Sequence, residues 1–338
     1  MRSLDQSGVA PREGGSAGQT PPSDASTFST DMLSALARRP RQISPKYFYD
    51  TAGSALFDRI CQLPEYYPTR TELELLRQSA AEISRLAGTH TELIEFGAGS
   101  LTKARILLDA LHSPDRFIPI DISGDHLRRA ATSLKQDYPE LDVMPLVRDY
   151  SRDFQLPLLA ERGRTLGVRR IGFFPGSTIG NFTPDEALRF LRMAARELRG
   201  GALLLGADLI KDPALLHAAY NDRDGVTAAF NLNLLVRANR ELGADFNLDQ
   251  FSHYAFYNAP ERRIEMHLMS RSRQVVMLQG KEFEFDEGET LHTENSYKFT
   301  IEGLRTLASL AGFEPRDVWT DSRRLFSLHW LIAPGEPI

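Results

Sequence analysis

The sequence predicts an α/β protein whose parallel sheet is covered by helices on both faces and interrupted by an insertion. Short apolar segments alternate with helical segments between residues 93 and 207, which is typical of a parallel sheet with crossover helices. The alternation stops after Asp208, where helices and then antiparallel strands are predicted. A last apolar strand near the end of the chain indicates a return to the first sheet.

The first part of the chain divides into a tail and an aromatic segment. Residues 1–30 contain few large apolar side chains and are more than half Ser, Gly, Pro and Thr, so a disordered tail is predicted. A short helix is expected from Thr30 or Asp31 to about Arg39. The aromatic stretch 44–70 contains a helix that ends at Pro64, and apolar spacing predicts a strong helix over 69–86.

The remaining elements follow in order. Strands are predicted at 93–96, 117–120, 143–147, 171–174 and 202–207, with helices at 103–111, 126–134 and 184–198. The insertion predicts helices within 213–242 and strands at 253–256, 263–269, 273–278 and 283–285. A helix at 299–311, a strand between about 312 and 319, and a closing strand at 324–332 complete the chain.

Composition excludes several classes of protein. The 338 residues are 42% hydrophobic and 25% charged, and the net charge of −5 gives the chain no overall basic character for binding nucleic acid, although it leaves a local basic patch open. The single cysteine cannot form an internal disulfide, and the eight histidines include no HxxxH pair, so no metal is expected. No apolar run suits a membrane span or a signal peptide. We therefore expect a cytoplasmic protein without membrane contact, and a monomer because no long apolar surface stripe indicates a partner.

The glycines Gly97 and Gly99 form the sharpest local motif. They lie between an apolar strand and a helix, where a backbone without side chains can approach a ligand closely. A dinucleotide site would require a third glycine where Thr102 stands. The looser Gly-x-Gly pattern suits S-adenosylmethionine, which has no pyrophosphate to bind.

Polar residues follow the same edge of the predicted sheet. Asp121 ends the second strand and would accept hydrogen bonds from both ribose hydroxyls. Asp149 and Tyr150 follow the third strand, where they would contact the adenine. Lys103, just inside the helix after the glycines, would pair with the cofactor carboxylate. Because such sheets bind ligands at the carboxyl ends of their strands, the pattern predicts S-adenosylmethionine as the cofactor.

The loop FFPGSTIGNF at 173–182 follows the fourth strand and is rich in Gly and Asn. Its amide groups would suit a substrate carboxylate. The alternative is a tight turn before a helix capped by Thr183 with Pro184 at its first position. The length of the loop and its place beside the cofactor favour the functional interpretation.

These motifs together resemble a known family. They are PKYFYDTAGSALFDRICQLPEYYPTR (45–70), LIEFGAGSLTKARILLDAL (93–111), FFPGSTIGNF (173–182), LLLGADLIKDPALLHAAYND (203–222), RIEMHL (263–268) and TENSYKF (293–299). The chain resembles the histidine-specific, S-adenosylmethionine-dependent methyltransferases of ergothioneine biosynthesis, which form hercynine (Nα,Nα,Nα-trimethylhistidine). The resemblance covers nearly everything from about residue 35 onward.

The resemblance implies a Rossmann-like class I methyltransferase sheet with a second α+β accessory domain. The core would comprise residues 71–210 and 298–338, and the substrate-binding accessory domain residues 31–70 and 211–297. The implied reaction transfers three methyl groups from S-adenosylmethionine to the α-amino nitrogen of L-histidine, without a metal. For the cofactor, the family motifs fall on the positions already chosen on chemical grounds.

The resemblance also implies the residues that bind the amino acid. Asn181 and Tyr220 would hold the carboxylate, and Tyr66, Glu294 and Ser296 would surround the imidazole. The catalytic candidate Tyr49 and the backbone around Gly176 would lie near the reacting amine. Met266 would be a pocket wall or a core residue. Residues two apart in an extended segment face the same side. Glu294 and Ser296 would therefore project together and bind both ring nitrogens.

Several alternatives stay open. The same scaffold could methylate another amino acid such as tryptophan or tyrosine, although the polar pair Glu294 and Ser296 disfavours an indole. The missing third glycine disfavours an NAD-dependent oxidoreductase, and the acidic balance disfavours methylation of nucleic acid. A cofactor-binding module without catalysis would require the substrate residues to be coincidental.

Overall fold

The computed structural model describes residues 24–158 and 167–335. The helices are α1 (Asp24–Ala37), α2 (Thr51–Ile60), α3 (Tyr67–Ala87), α4 (Thr102–Ala110), α5 (Gly124–Asp137), α6 (Pro184–Glu197), α7 (Pro213–Tyr220), α8 (Val226–Leu242) and α9 (Ile301–Leu310). Short 3-10 helices lie at Pro45–Phe48, Thr178–Asn181 and Leu248–Gln250.

The strands alternate with these helices and then form a separate group. They are β1 (Arg41–Gln42), β2 (Thr89–Phe96), β3 (His112–Asp121), β4 (Asp142–Val143), β5 (Leu146–Val147), β6 (Arg169–Phe174), β7 (Ala202–Asp208), β8 (Phe251–Asn258), β9 (Arg263–Ser270), β10 (Gln274–Leu278), β11 (Lys281–Phe285), β12 (Thr290–Tyr297), β13 (Glu314–Thr320) and β14 (Phe326–Ile332).

An eight-stranded sheet confirms the predicted α/β core. Its order is β13-β14-β7-β6-β2-β3-β4, and β5 also pairs with β3. The pairs from β7 through β4 are parallel, whereas β14 runs antiparallel to both of its neighbours. Over the parallel strands β2 to β7 this is the doubly wound order, with a switch point between β2 and β6. The sheet is therefore of the Rossmann-like class I type.

Helices cover both faces of this sheet because neighbouring strand residues point in opposite directions. Leu93 of β2 packs in a cluster with apolar side chains of α3, α4 and α5. The next residue, Ile94, packs on the other side with side chains of α6 and α9. This arrangement buries the strands on both faces and leaves their carboxyl ends as the accessible edge.

A second sheet forms the centre of the inserted part. Its order is β1-β12-β9-β8, in which β1 and β12 are parallel and the other pairs antiparallel, and β10 and β11 form a separate hairpin. One apolar cluster joins this sheet to α1, α2, α7 and α8, and it includes Phe48, Phe230 and Met266. The inserted part thus has α+β content, and the predicted domain boundaries stay a prediction.

The predicted tail ends too late. Helix α1 begins at Asp24 rather than at Thr30 or Asp31, so residues 24–30 are helical. Phe28 is fully buried, and its ring stacks on Tyr47 with 4.6 Å between the centroids. Burial of the Phe28 ring outweighs the low helix propensity of residues 24–30. Local composition is the basis of the prediction for this segment, and it does not include that burial. The other tail residues, 1–23, lie outside the described residues.

The predicted strand at 143–147 is divided in two. The strands β4 and β5 each contain two residues and both pair with β3. Pro145 stands between them and has no N–H to donate to the ladder, so the pairing is interrupted there. Among the described residues, no helix is both long and apolar enough to span a bilayer.

Candidate active site

The glycine turn lies at the carboxyl ends of β2 and β3. The N–H groups of Gly97 and Ala98 both donate to the carbonyl of Ile120 at 2.9 Å. Gly97 has a φ of +75°, and a Cβ there would be 3.0 Å from the hydroxyl of Tyr150. The ring of Tyr150 packs edge-on against Phe174 with the centroids 5.8 Å apart. The turn therefore requires glycine at 97 and lies directly against one of the predicted adenine-binding residues.

Substitutions at Gly97 and Gly99 should have different effects on stability. Gly97→Ala should lower the free energy of unfolding by about 1–2 kcal/mol, because an L-residue is strained at this φ and its methyl group would press on Tyr150. Gly99→Ala is the matched control, since nothing lies within 4 Å of its Cβ position, and it should cost less than about 0.5 kcal/mol. Urea unfolding without cofactor measures both, and equal losses would contradict the argument.

The two predicted cofactor carboxylates lie on the same edge of the sheet. Asp121 ends β3, where burial raises its pKa to about 6, and it accepts a hydrogen bond from the Ser123 N–H at 2.7 Å. Burial also opposes ionisation of Asp149. However, hydrogen bonds from Ser151 and Lys46 hold the pKa of Asp149 below its ordinary value. The ammonium of Lys46 is 3.0 Å from Asp149 Oδ2, which ties the first 3-10 helix to the core.

Lys103 is held by a carboxylate that the sequence interpretation missed. Its ammonium is 2.6 Å from Oε2 of Glu72, a residue of α3 that is fully buried. Both carboxylate oxygens of Glu72 also accept from the Gly176 N–H at 2.9 Å, and Glu72 leaves no room for a Cβ at Gly206. Glu72 therefore fixes both a predicted cofactor residue and the loop predicted to lie beside the substrate.

The groups at this edge fit S-adenosylmethionine. Burial raises the pKa of Glu95 in β2 to about 8, and its Oε2 is buried without a hydrogen-bond partner among the described residues. A buried polar atom of this kind is costly unless a ligand or water satisfies it. Together with Asp121 and Lys103, the edge offers acceptors for cationic and hydroxyl groups and one cation for a carboxylate, which match the parts of this cofactor.

A narrow cavity brings together four of the residues predicted to bind the substrate. Tyr66, Tyr220, Met266 and Glu294 line it together with Phe57, Ile60, Ala219, Thr227 and Phe230. The rings of Tyr66 and Tyr220 meet edge-on with centroids 6.4 Å apart. Of the lining side chains only Glu294 carries a carboxylate, and its burial raises its pKa to about 7, although Lys298 opposes the shift.

Glu294 and Ser296 lie on one face of β12. On the neighbouring strand β9, Met266 pairs with Glu294 and Ile264 pairs with Ser296, and all four residues are buried. Ser296 adjoins the cavity through Tyr220, whose hydroxyl donates to Ser296 Oγ at 2.7 Å. The hydroxyl of Tyr220 therefore lies on the side of the predicted imidazole-binding pair, whereas the resemblance placed it at the substrate carboxylate.

Tyr49 lies between the two predicted binding regions. Its ring meets those of Phe57 and Phe230 edge-on, each at 5.6 Å. Burial raises the pKa of its hydroxyl well above the ordinary value, and Glu294 and Tyr150 add to the shift. Glu294 belongs to the candidate substrate site and Tyr150 to the candidate cofactor site. The Tyr49 hydroxyl is therefore neutral and can orient a ligand by hydrogen bonding, but it is a poor base.

The loop after β6 carries the remaining two predicted residues. Gly176 has a φ of +75°, and a Cβ there would be 3.3 Å from the Lys103 ammonium. Asn181 ends the 3-10 helix Thr178–Asn181. At Gly180 this helix approaches so closely that a Cβ would be 2.8 Å from the Tyr297 carbonyl in β12. The loop thus joins the cofactor edge to the strand that carries Glu294.

One cluster within residues 24–158 and 167–335 has metal-ligand character. The potential ligand atoms of Glu265, His267 and His292 lie within 4.8 Å of one another. The two imidazole rings stack nearly parallel, at 14° and 4.4 Å, so their in-plane lone pairs do not converge on one ion. Arg263 lies 2.7 Å from Glu265 and neutralises it. We therefore assign this cluster no role in the reaction.

Comparison with known proteins identifies the family of the chain. A family model described as "Histidine-specific methyltransferase, SAM-dependent" matches residues 28–333. The chain is 43% identical over 312 residues to "Histidine N-alpha-methyltransferase" of Mycolicibacterium smegmatis, covering 90% of this chain and 95% of that protein.

Two fungal relatives are more distant. "Ergothioneine biosynthesis protein 1" of Neurospora crassa is 28% identical, with 86% of this chain and 33% of that protein covered. "4-dimethylallyltryptophan N-methyltransferase" of Claviceps purpurea is 26% identical, with 86% and 90% covered. The match of the family model over most of the chain, together with the class I sheet, leads to one conclusion: the chain belongs to the histidine-specific, S-adenosylmethionine-dependent methyltransferase family.

Proposed function

We propose that this enzyme transfers three methyl groups from S-adenosylmethionine to the α-amino nitrogen of L-histidine and forms hercynine, a step of ergothioneine biosynthesis. The observation that carries the proposal is the pair Glu294 and Ser296, buried on one face of β12 beside an aromatic cavity. The 43% identity to a protein named for histidine Nα-methylation supports it.

The cofactor would be held at the edge formed by β2, β3 and the segment after β5. When bound, S-adenosylmethionine supplies a methyl group that its positive sulfur has already activated. The residues proposed to hold it are Gly97, Gly99, Lys103, Asp121, Asp149 and Tyr150. Because the donor is already reactive, the protein contributes mainly by positioning the amine and excluding water.

The amino-acid substrate would lie between this edge and β12. Asn181 is proposed to hold its carboxylate, and Tyr66, Glu294 and Ser296 its imidazole, with Met266 as an apolar wall. Tyr220, whose proton goes to Ser296 Oγ, is proposed to support the imidazole pair rather than the carboxylate. The α-amine of a free amino acid is protonated at neutral pH, so the nucleophile must lose a proton before it attacks. Tyr49, which is neutral, would orient the amine, with the backbone at Gly176 nearby, and water would accept the proton.

The proposed accessory domain, residues 31–70 and 211–297, would supply most of the substrate site. Tyr49 follows the 3-10 helix Pro45–Phe48, Tyr66 precedes α3, and Tyr220 ends α7, whereas Glu294 comes from the second sheet. The core loop with Gly176 and Asn181 contributes the remainder. Substrate recognition is thus separated from cofactor binding, which the core performs.

A second candidate is the same reaction on another free amino acid. A relative named for 4-dimethylallyltryptophan N-methylation makes tryptophan the alternative to test. The buried Glu294 and Ser296 favour histidine, because a site built from polar groups strongly rejects a ligand that leaves them unpaired.

Mass spectrometry of products tests the proposal. Purified protein is incubated with S-adenosylmethionine and a pool of the standard amino acids, and the control pool contains S-adenosylhomocysteine instead. We expect histidine alone to gain three methyl groups. Methylation of another amino acid would overturn the substrate assignment and leave the family assignment intact. No methylated product would overturn the proposed reaction.

A further inference from the structure

Lys298 is a buried cation whose contacts converge on the substrate residues. It is only 3% exposed. Its ammonium donates to Ser296 Oγ at 2.7 Å and to the Tyr220 hydroxyl at 3.3 Å, and it is 3.0 Å from Oδ2 of Asp208. Burial alone would lower the pKa of Lys298, but Tyr220 and Asp208 raise it above the ordinary value. The ammonium is therefore charged and can only donate hydrogen bonds.

Asp208 does not depend on Lys298 alone. Lys211 also forms an ion pair with Asp208, and the Tyr67 hydroxyl donates to it at 2.7 Å. Two buried lysines thus neutralise one carboxylate, and they differ in their other contacts. Lys211 contacts the Tyr67 hydroxyl at 2.7 Å, whereas Lys298 contacts the residues of the pocket.

The contacts of Ser296 determine which hydrogen bonds it can still make. A hydroxyl has one proton to donate and two lone pairs that accept. The Tyr220 hydroxyl and the Lys298 ammonium both donate to Ser296 Oγ, each at 2.7 Å, and so occupy both lone pairs. Only the Ser296 proton remains available, and the neighbouring Glu294, when ionised, can only accept.

We propose that Lys298 determines the ring specificity of the substrate pocket by holding Ser296 as a hydrogen-bond donor. The inference rests on the proposed function and deepens it. A donor at Ser296 and an acceptor at Glu294 together match a ring with one lone pair and one N–H, which is a neutral imidazole. An indole ring offers one N–H and an imidazolium ring offers two N–H groups, and neither ring has a nitrogen lone pair that can accept a hydrogen bond. Both would leave the Ser296 proton without an acceptor.

The test compares histidine with 3-(2-thienyl)alanine, an analogue of similar size whose ring lacks both the N–H and the nitrogen lone pair. Dissociation constants are measured by calorimetry with S-adenosylhomocysteine present. Lys298→Met should weaken histidine binding by about 10- to 100-fold, the range expected when a buried polar ligand loses its partner. Binding of the analogue should change by less than about threefold, because it never used the Ser296 proton.

Lys211→Met is the matched control. It removes the other lysine from the same carboxylate, and within the described residues Lys211 contacts Asp208 and the Tyr67 hydroxyl rather than Ser296 or Tyr220. It should change neither dissociation constant by more than about threefold. In a Ser296→Ala background, Lys298→Met should have no further effect on histidine binding, because the proposed path runs through that hydroxyl.

Three outcomes would overturn the proposal. They are equal losses for histidine and the analogue, equal losses in the two lysine variants, and additive losses in the double variant with Ser296→Ala. Where Lys298→Met does not fold, Tyr220→Phe removes the other donor to Ser296, and an unchanged preference for histidine over the analogue would overturn the proposal. Native protein that methylates histidine while failing these tests would refute only the role of Lys298, whereas native protein that does not bind histidine would refute the proposed function as well.

Discussion

Glu294→Gln should lower kcat/KM for histidine by about 10- to 100-fold while leaving the affinity for S-adenosylmethionine unchanged. The substitution keeps the shape of a side chain that lines the cavity but removes its charge. A hydrogen bond to a charged group contributes about 1.5–3 kcal/mol, which corresponds to this range of rate constants. Steady-state kinetics and calorimetry measure the two effects separately.

The same variant should be more stable than the native protein above neutral pH. Burial raises the pKa of Glu294 to about 7, against about 4.3 in an unfolded chain. The folded state therefore binds this proton more tightly, and the stabilisation is fully present below about pH 4 and lost as the pH rises through 7. Gln cannot ionise, so the gain over the native protein should be negligible near pH 4 and reach up to about 4 kcal/mol near pH 9.

Glu265→Gln is the matched control because it should show the opposite pattern. Glu265 lies on the neighbouring strand and pairs with Asn295, so it faces the other side of the sheet. Burial opposes its ionisation, but hydrogen bonds from Arg263 and Asn258 lower its pKa to about 2. Its loss should therefore reduce stability at neutral pH and leave histidine turnover within about threefold. If both variants shifted stability and turnover alike, the account of Glu294 would be wrong.

Glu72→Ala should lower the free energy of unfolding by about 3–5 kcal/mol, the usual cost of removing one partner of a buried ion pair. It would leave the Lys103 ammonium and the Gly176 N–H without the carboxylate that both now contact. The affinity for S-adenosylmethionine should fall as well, because both groups adjoin the cofactor edge. Urea unfolding and calorimetry measure these losses.

A second substitution separates the ion pair from simple loss of packing. In Glu72→Ala/Lys103→Met no buried charge is left unpaired, so the double variant should be more stable than Glu72→Ala alone. Glu74→Ala is the control from the same helix, since Glu74 is exposed and its side chain accepts a hydrogen bond from Gln78 alone among the described residues. It should change stability by less than about 0.5 kcal/mol. A double variant less stable than the single one would contradict the ion-pair argument.

Local patterns in the sequence predict the core, the family and most of the candidate cofactor site. Strand and helix periodicity are local properties, and so the alternation from residue 93 to 207 predicted the parallel sheet that the structure shows. The carboxyl ends of parallel strands share one edge of a sheet. For that reason the sequence predicts that Gly97, Asp121 and Tyr150 lie near one another, as they do in the structure.

Which distant groups complete these sites depends on contacts between segments that are far apart in the chain. Glu72 resembles any helical carboxylate in the sequence, and its role depends on the approach of α4 and of the loop after β6. The first helix begins at Asp24 because the Phe28 ring stacks on the Tyr47 ring. Helix propensity, which is a local property, does not predict that contact.

For Lys298, the sequence spacing predicts one property and the tertiary contacts determine another. Its spacing of two residues from Ser296 and four from Glu294 indicates that the three side chains share one side of an extended segment. That Lys298 is buried, and that it acts on Ser296 together with Tyr220, depends on Asp208 and on α7. Burial is set by contacts between segments far apart in the chain, and it is burial that turns a common surface residue into a group that controls a binding site.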